Sequence, residues 1–297
     1  MQTIKSNSRN LIVTLTAGIG LAAVAAQGAD NTKSDWTSDL IAPVANPILF
    51  ESPTIGSELR PLFLYHQLND KFATKGGDVE VYALQFRLKL TDRLALIATK
   101  DGYIDFNPKT GLKHETGMAD ITAGLKYALV NDEQNKFLLT PGFTYTIPIG
   151  TDHVFQGDDN GSGQFDLFVS AEKSVSDVQI MGNLGVIVPI DSDKDTAQLH
   201  YSLQVAYPVC QWFKPFAVLN GYTVLSEGNG LALGSEGYDV INFGASNAGG
   251  ETQIVLGAGF RTAISKSVDL GLAYEKGVDH SNGIFDYRIT ADVVWKF

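Results

Sequence analysis

The sequence contains a single cysteine, Cys210, among its 297 residues. One cysteine permits no intrachain disulfide, and without a CxxC pair a cysteine-based zinc site is not expected. Basic residues are also scarce, since 22 Lys and Arg stand against 33 Asp and Glu, a formal net charge of -11. A nucleic-acid-binding surface needs a positive field, so this balance argues against nucleic acid as a partner.

Long apolar runs are almost missing as well. The one clear run, residues 11–26 (LIVTLTAGIGLAAVAA), follows Lys5 and Arg9 and is succeeded by small and then polar residues. It is shorter than the about 20 residues that cross a bilayer as a helix, and this three-part order is typical of a secretory signal. We predict a signal peptide over residues 1–26; a helical membrane anchor is the less favoured alternative.

From Glu58 onward, apolar and polar side chains alternate within segments of about ten to thirteen residues, which is the period of a β-strand. At the C-terminus, Ile289, Val293 and Trp295 share one face, while Arg288 and Asp292 take the other. Alternation alone does not distinguish a soluble sandwich from a membrane barrel. Aromatic residues near the segment ends, and breaks that are alternately short and long, favour a transmembrane barrel.

The sequence therefore predicts an all-β fold, a transmembrane antiparallel up-and-down β-barrel of about 12 strands over residues 58–297. Short turns are predicted on the periplasmic side and longer loops on the extracellular side. The predicted strands are 58–68, 78–90, 94–107, 117–129, 136–149, 164–175, 178–190, 197–209, 213–227, 252–265, 268–276 and 286–297.

Residues 27–57 do not alternate and contain Pro43, Pro47 and Pro53. Pro-rich segments tend to be extended spacers, so we interpret this stretch as an extended periplasmic N-terminal segment. A partial plug inside the lumen is the alternative.

If the apolar faces meet lipid, the opposite faces line a lumen with charges of both signs, which would select solutes by size and charge. The lumen-lining candidates are Arg87, Lys89, Asp120, Lys126, Glu172, Arg261, Asp269, Glu275, Arg288, Asp292 and Lys296. We predict no catalytic residues, no cofactor and no metal site. The assembly signal is predicted at Tyr287, Trp295 and Phe297, as in other outer-membrane barrels.

Two other function classes remain open. A closed barrel could act as an adhesin or scaffold through its outer loops. A lipid hydrolase embedded in the membrane would need a nucleophile, a base and an orienting group together. The sequence has no GxSxG motif, and His66 is the one histidine whose position in the strand pattern is ambiguous.

Four segments carry a family resemblance: residues 117–129 (GMADITAGLKYAL), 137–151 (FLLTPGFTYTIPIGT), 90–96 (LTDRLAL) and 257–277 (GAGFRTAISKSVDLGLAYEKG). They resemble the outer-membrane family named for the MetA pathway of phenol degradation. The resemblance implies a channel or transporter in the cell outer membrane of a Gram-negative-type bacterium, for passive uptake of small solutes, including aromatic or hydrophobic compounds. The expected partners are outer-membrane lipid, the barrel-assembly machinery and a small-molecule solute.

Overall fold

The computed structural model describes residues 36–156, 162–278 and 283–297. The predicted signal peptide and residues 27–35 lie outside the described residues. Within them, no helix is long and apolar enough to cross a membrane.

The described residues form fifteen β-strands, which occupy twelve positions around a closed barrel. Two positions are shared by consecutive short strands, β3 with β4 and β5 with β6, because β2 pairs with both β3 and β4. The short β7 pairs only with β8, next to the residues of β8 that β6 pairs, so it continues the position that β5 and β6 share. The strands are β1 (Glu58–Leu68), β2 (Gly77–Lys89), β3 (Leu94–Lys100), β4 (Tyr103–Pro108), β5 (Glu115–Met118), β6 (Ile121–Tyr127), β7 (Val130–Asp132), β8 (Phe137–Ile147), β9 (Gln164–Val175), β10 (Val178–Pro189), β11 (Ala197–Ala206), β12 (Lys214–Ser226), β13 (Thr252–Ala263), β14 (Val268–Gly277) and β15 (Phe285–Lys296).

Neighbouring strands pair antiparallel around the whole barrel, and β1 closes it by pairing with both β2 and β15. Short turns, such as 176–177 and 264–267, alternate with longer connections, such as 190–196 and 227–251. We call the two ends of the barrel the short-turn end and the long-loop end. The predicted 12-strand up-and-down barrel is therefore confirmed.

Polarity is inverted relative to a soluble protein. On β10 and β11, the apolar Leu184 and Leu203 are 51% and 48% exposed, while the adjacent polar Asn183 and Ser202 are only 4% and 5% exposed. The same alternation recurs around the barrel. An apolar outer band is stable only against hydrocarbon, so the outer face of this barrel is the surface that lipid covers.

Aromatic side chains collect near both ends of this outer face. At the long-loop end, the rings of Tyr274 and Tyr287 stack with centroids 5.9 Å apart, and those of Tyr145 and Phe165 lie 5.0 Å apart. Trp212 lies at the short-turn end and is 58% exposed. Amphipathic rings favour the boundary between lipid and water, so these two groups mark the edges of the membrane-spanning band.

The barrel interior is filled by a segment of the chain that precedes the strands, as well as by side chains of the strands. Residues 36–57, which we call the plug segment, are mostly buried, and their contacts reach strands all around the barrel. The interpretation of 27–57 as an extended periplasmic linker is therefore wrong for 36–57, which lie inside the lumen. The partners of this segment are side chains spread over many strands. A local sequence pattern reflects only near neighbours in the chain, so it does not predict such contacts.

Candidate solute pathway

Eight of the eleven predicted lumen-lining residues are buried inside the barrel: Arg87, Asp120, Lys126, Glu172, Arg261, Glu275, Arg288 and Asp292. The other three lie at the short-turn end. Lys89 pairs with Asp92 at 2.7 Å, and Lys296 pairs with Asp269 at 2.7 Å, with both lysines partly exposed. These three residues therefore border the rim rather than the enclosed lumen.

The plug segment enters and leaves the lumen at the short-turn end. A short 3-10 helix, Trp36–Asp39, begins the described part, and the Trp36 indole donates a hydrogen bond to Asn131 at 2.9 Å. The segment then rises to Leu49, which packs against an apolar cluster at the long-loop half, and returns to Glu58 where β1 begins. It thus enters the lumen, turns back inside it near Leu49 and leaves at the same end.

Most polar contacts of the plug segment run in one direction, from donors on the barrel wall to acceptors on the segment. Gln85 donates to the carbonyl oxygen of Pro47 at 2.6 Å, and Thr140 donates to that of Pro53 at 2.7 Å. Gln204 donates to the carbonyl oxygen of Ile41, and Ser170 to that of Glu51. The wall that faces the plug is consequently rich in hydrogen-bond donors.

Glu51 is the charged contact of the plug segment. Its two carboxylate oxygens accept hydrogen bonds from Nε and Nη2 of Arg87 at 3.0 and 2.6 Å, and Lys126 Nζ lies 2.6 Å from Oε1. Burial raises the pKa of the Glu51 carboxyl, but the charges of Arg87 and Lys126 outweigh that effect and bring the pKa to about 2. The carboxylate is therefore ionised wherever the pH is near neutral.

A second ion cluster, centred on Asp292, holds the first half of the plug. Arg261 contacts both carboxylate oxygens of Asp292 at 2.9 Å, and Arg60 Nε donates to Oδ2 at 2.7 Å. Other N–H groups of the same two arginines donate to the plug backbone. Arg261 donates to the carbonyl oxygens of Ala42 and Pro43, and Arg60 donates to that of Pro43. This cluster positions two arginines against the backbone of the plug.

The long loop between β12 and β13, residues 227–251, folds into the barrel from the long-loop end, and we call it the inner loop. Its Asp239 receives two hydrogen bonds from Arg288, at 2.6 and 2.8 Å, with both side chains almost fully buried. Burial raises the pKa of Asp239, but the Arg288 charge outweighs it and the pKa falls below its usual value. The carboxylate of Glu236 accepts from the amides of Phe243 and Ala245, which folds the loop on itself.

Three small cavities, of about 10, 20 and 40 Å³, lie beside the inner loop, and the plug segment also lines the first two. Each is large enough for one to a few water molecules. All three are lined by Lys100. In this conformation, the described residues close the lumen at the point where plug and inner loop meet.

Lys100 was absent from the sequence-based set because the strand period is broken beside it. Ala95, Ile97 and Thr99 alternate as buried residues, so Lys100 would fall on the lipid face. A bulge between Ala98 and Lys100 shifts the register, and Lys100 pairs with the buried Thr122 and faces inward. Bulges change the face on which later side chains lie.

Arg60, Glu51 and Asp239 were also missed. Glu51 and Asp239 were missed because they lie outside the predicted strands.

The histidine that was ambiguous from sequence lies inside the barrel. His66 is buried, and its Nδ1 is 3.0 Å from Nη2 of Arg288. A hydrolase acting on lipid at the outer face would need this ring on the other side of the strand.

Among the described residues, no group of three or more His, Cys, Asp or Glu side chains is arranged to hold a metal ion.

Comparison with known proteins assigns this closed, plugged barrel to a family. Residues 70–290 match the family described as "Putative MetA-pathway of phenol degradation". The chain belongs to this family. The match begins within the barrel at residue 70, so the plug segment of this MetA-pathway family member precedes the matched region. No curated protein sequence matches the chain.

Solved structures with the same fold are outer-membrane barrels. The COG4313 outer membrane channel from Pseudomonas putida F1 superposes with a TM-score of 0.62 at 15% identity, covering 87% of this chain and 100% of that one. The NanC porin superposes with a TM-score of 0.51 at 9% identity, covering 81% of this chain and 100% of that one. At these identities the similarity establishes the fold of the family member and leaves its solute open.

Proposed function

We propose that this protein is an outer-membrane channel for the passive uptake of small solutes, and that the structure describes its closed conformation. The observation that carries the proposal is the nature of the lumen filling. Two chain segments that are not barrel strands occupy the lumen, and they are held by side-chain hydrogen bonds, ion pairs and apolar contacts.

This filling differs from that of a barrel built as a rigid scaffold. A narrow barrel is closed by interdigitating side chains of its own strands, which cannot be moved without unfolding the sheet. Here water can replace the polar contacts of the plug segment, while the ladder hydrogen bonds between strands stay intact. Opening is therefore compatible with a stable barrel.

The proposal places the chain in the outer membrane, reached by export through a cleaved signal peptide over residues 1–26 and inserted by the barrel-assembly machinery. The name of the family points to aromatic compounds, so small aromatic molecules belong among the proposed solutes. The similar barrels whose names describe them as an outer membrane channel and a porin support a transport role.

Single-channel recording of the purified full-length protein in planar bilayers tests the proposal. We expect brief stepwise currents separated by long closed periods, because the plug segment and inner loop occupy the lumen for most of the time. Complete silence of the wild type and of variants with a weakened plug would favour the alternative, a closed barrel that acts as an adhesin or scaffold. The small interior cavities are the observation in favour of that alternative.

A further inference from the structure

The contacts of Glu51 have the geometry of a ligand site. Two nitrogens of one guanidinium face two oxygens of one carboxylate, which is the bidentate arrangement by which arginine recognises free carboxylates. Lys126 adds a compact positive charge at 2.6 Å from Oε1. Arg87, Lys126 and Glu51 are each at most 5% exposed.

The two cations belong to the barrel wall, on β2 and β6, whereas the carboxylate belongs to the plug segment. When the plug segment leaves, the cations remain where they are. The negative charge that remains beside them is Glu58, 3.3 Å from Nη1 of Arg87. One carboxylate against two cations leaves one positive charge in excess. An excess positive charge in a narrow cleft with low-dielectric walls attracts counter-ions, so the open lumen favours an anion at this place.

The direction of the remaining contacts agrees with an anionic or acceptor-rich ligand. Wall side chains donate to the plug at the carbonyl oxygens of residues 41, 42, 43, 47, 52 and 53. Fewer contacts run the other way, such as the Ile41 amide to Gln179. The surface that the plug covers is thus built to donate hydrogen bonds.

We propose that Arg87 and Lys126 form a carboxylate-binding site on the lumen wall, that Glu51 occupies it in the closed channel, and that small organic carboxylates occupy it in the open one. Glu51 is then an internal competitor of the solute. This inference rests on the proposed channel function and specifies its solute class. An aromatic carboxylate such as benzoate combines the charge that the site requires with the aromatic character that the family name suggests.

The test is single-channel recording of the full-length protein with Glu51→Gln, with sodium benzoate or sodium chloride as the current-carrying salt. Glutamine keeps the shape of Glu51 but leaves Glu58 as the one negative charge beside the two cations, so an uncompensated positive charge stays buried in the closed state. We therefore expect the open fraction to rise about tenfold or more. In this variant the benzoate current should saturate with concentration, as binding requires. Adding Arg87→Lys should raise the half-saturating concentration about tenfold or more, since lysine cannot form the bidentate pair.

A matched control is Glu133→Gln, which removes the same charge from an exposed turn at the same end of the barrel. It should leave the open fraction and the benzoate current unchanged. Correct folding of each variant is checked by the heat-dependent shift in gel mobility of the barrel. If Glu51→Gln does not fold, Lys126→Gln in the wild-type background removes one of the two cations and should also raise the open fraction.

The outcomes separate the two proposals. Currents in the wild type with no rise in Glu51→Gln, or benzoate currents that neither saturate nor respond to Arg87→Lys, overturn the carboxylate site and leave the channel in place. Saturation by sodium phosphate equal to that by benzoate also overturns it, because the site would then accept anions of any shape. Silence in every folded variant overturns both.

Discussion

Replacing Asp239 with asparagine should release the inner loop from the barrel. Asp239 and Arg288 form two short hydrogen bonds, at 2.6 and 2.8 Å, and their side chains are 1% and 0% exposed. Removing one partner of such a buried pair costs about 3–5 kcal/mol, because the other charge stays buried without compensation. Asparagine retains one acceptor oxygen, so we take the lower end, about 3 kcal/mol.

A change of about 3 kcal/mol multiplies the population of the released loop by about two orders of magnitude. Chymotrypsin reports this population, since Tyr238 and Phe243 in the inner loop are 5% and 3% exposed. When opening and closing are fast, the cleavage rate follows the open population. We therefore expect cleavage of the folded Asp239→Asn protein about a hundredfold faster than that of the wild type.

The chain offers a matched control in Asp286→Asn. Asp286 also pairs with a cation, Lys276 at 2.7 Å, but both side chains are largely exposed, at 41% and 52%. Exposed pairs contribute about 0–1 kcal/mol, so cleavage of this variant should stay near the wild-type rate. Cleavage of Asp239→Asn within about twofold of the control would refute the claim that this ion pair holds the loop.

Three further predictions follow from other contacts. The pKa of Glu51 is lowered to about 2 from 4.5, so its pairing is complete above its ordinary pKa and is lost as the pH falls through about 2; currents should be unchanged from about pH 8 to pH 5 and increase below about pH 4. Gly102→Ala should destabilise the barrel by about 1–3 kcal/mol in urea unfolding, because Gly102 has a φ of +112° and an added Cβ would lie 2.2 Å from the Tyr82 carbonyl oxygen. Deletion of Phe297 should lower the amount of folded barrel in outer-membrane fractions, whereas normal insertion would contradict its role as part of the assembly signal.

The strands could be predicted from the sequence because each one faces two different media. The strand predicted over 164–175 is observed as Gln164–Val175, and that over 178–190 as Val178–Pro189. Lipid selects apolar side chains on one face and the lumen selects polar ones on the other, so every second residue carries the signal. The position of the strands therefore needs no knowledge of their neighbours.

The closure of the lumen could not be predicted in the same way. Glu51 and Pro43 belong to no regular pattern, and their partners are far away in the chain. Arg87 and Lys126 lie 36 and 75 residues from Glu51, and Arg261 lies 218 residues from Pro43. Lys100 was missed for a different reason, because one extra residue in a bulge reverses which face every later residue takes. Long-range polar pairing and local register shifts leave no periodic pattern in a single sequence.

The proximity of Glu51 to the start of β1 has a kinetic consequence. Six residues, 52–57, join it to Glu58, so a displaced Glu51 carboxylate remains within reach of its cations. A tether of this length maintains a local concentration in the millimolar range or above. In the channel that we propose, a carboxylate in solution would have to reach comparable concentrations to keep the lumen open. The lumen would close again once the supply outside the cell fell, without any energy source or protein partner.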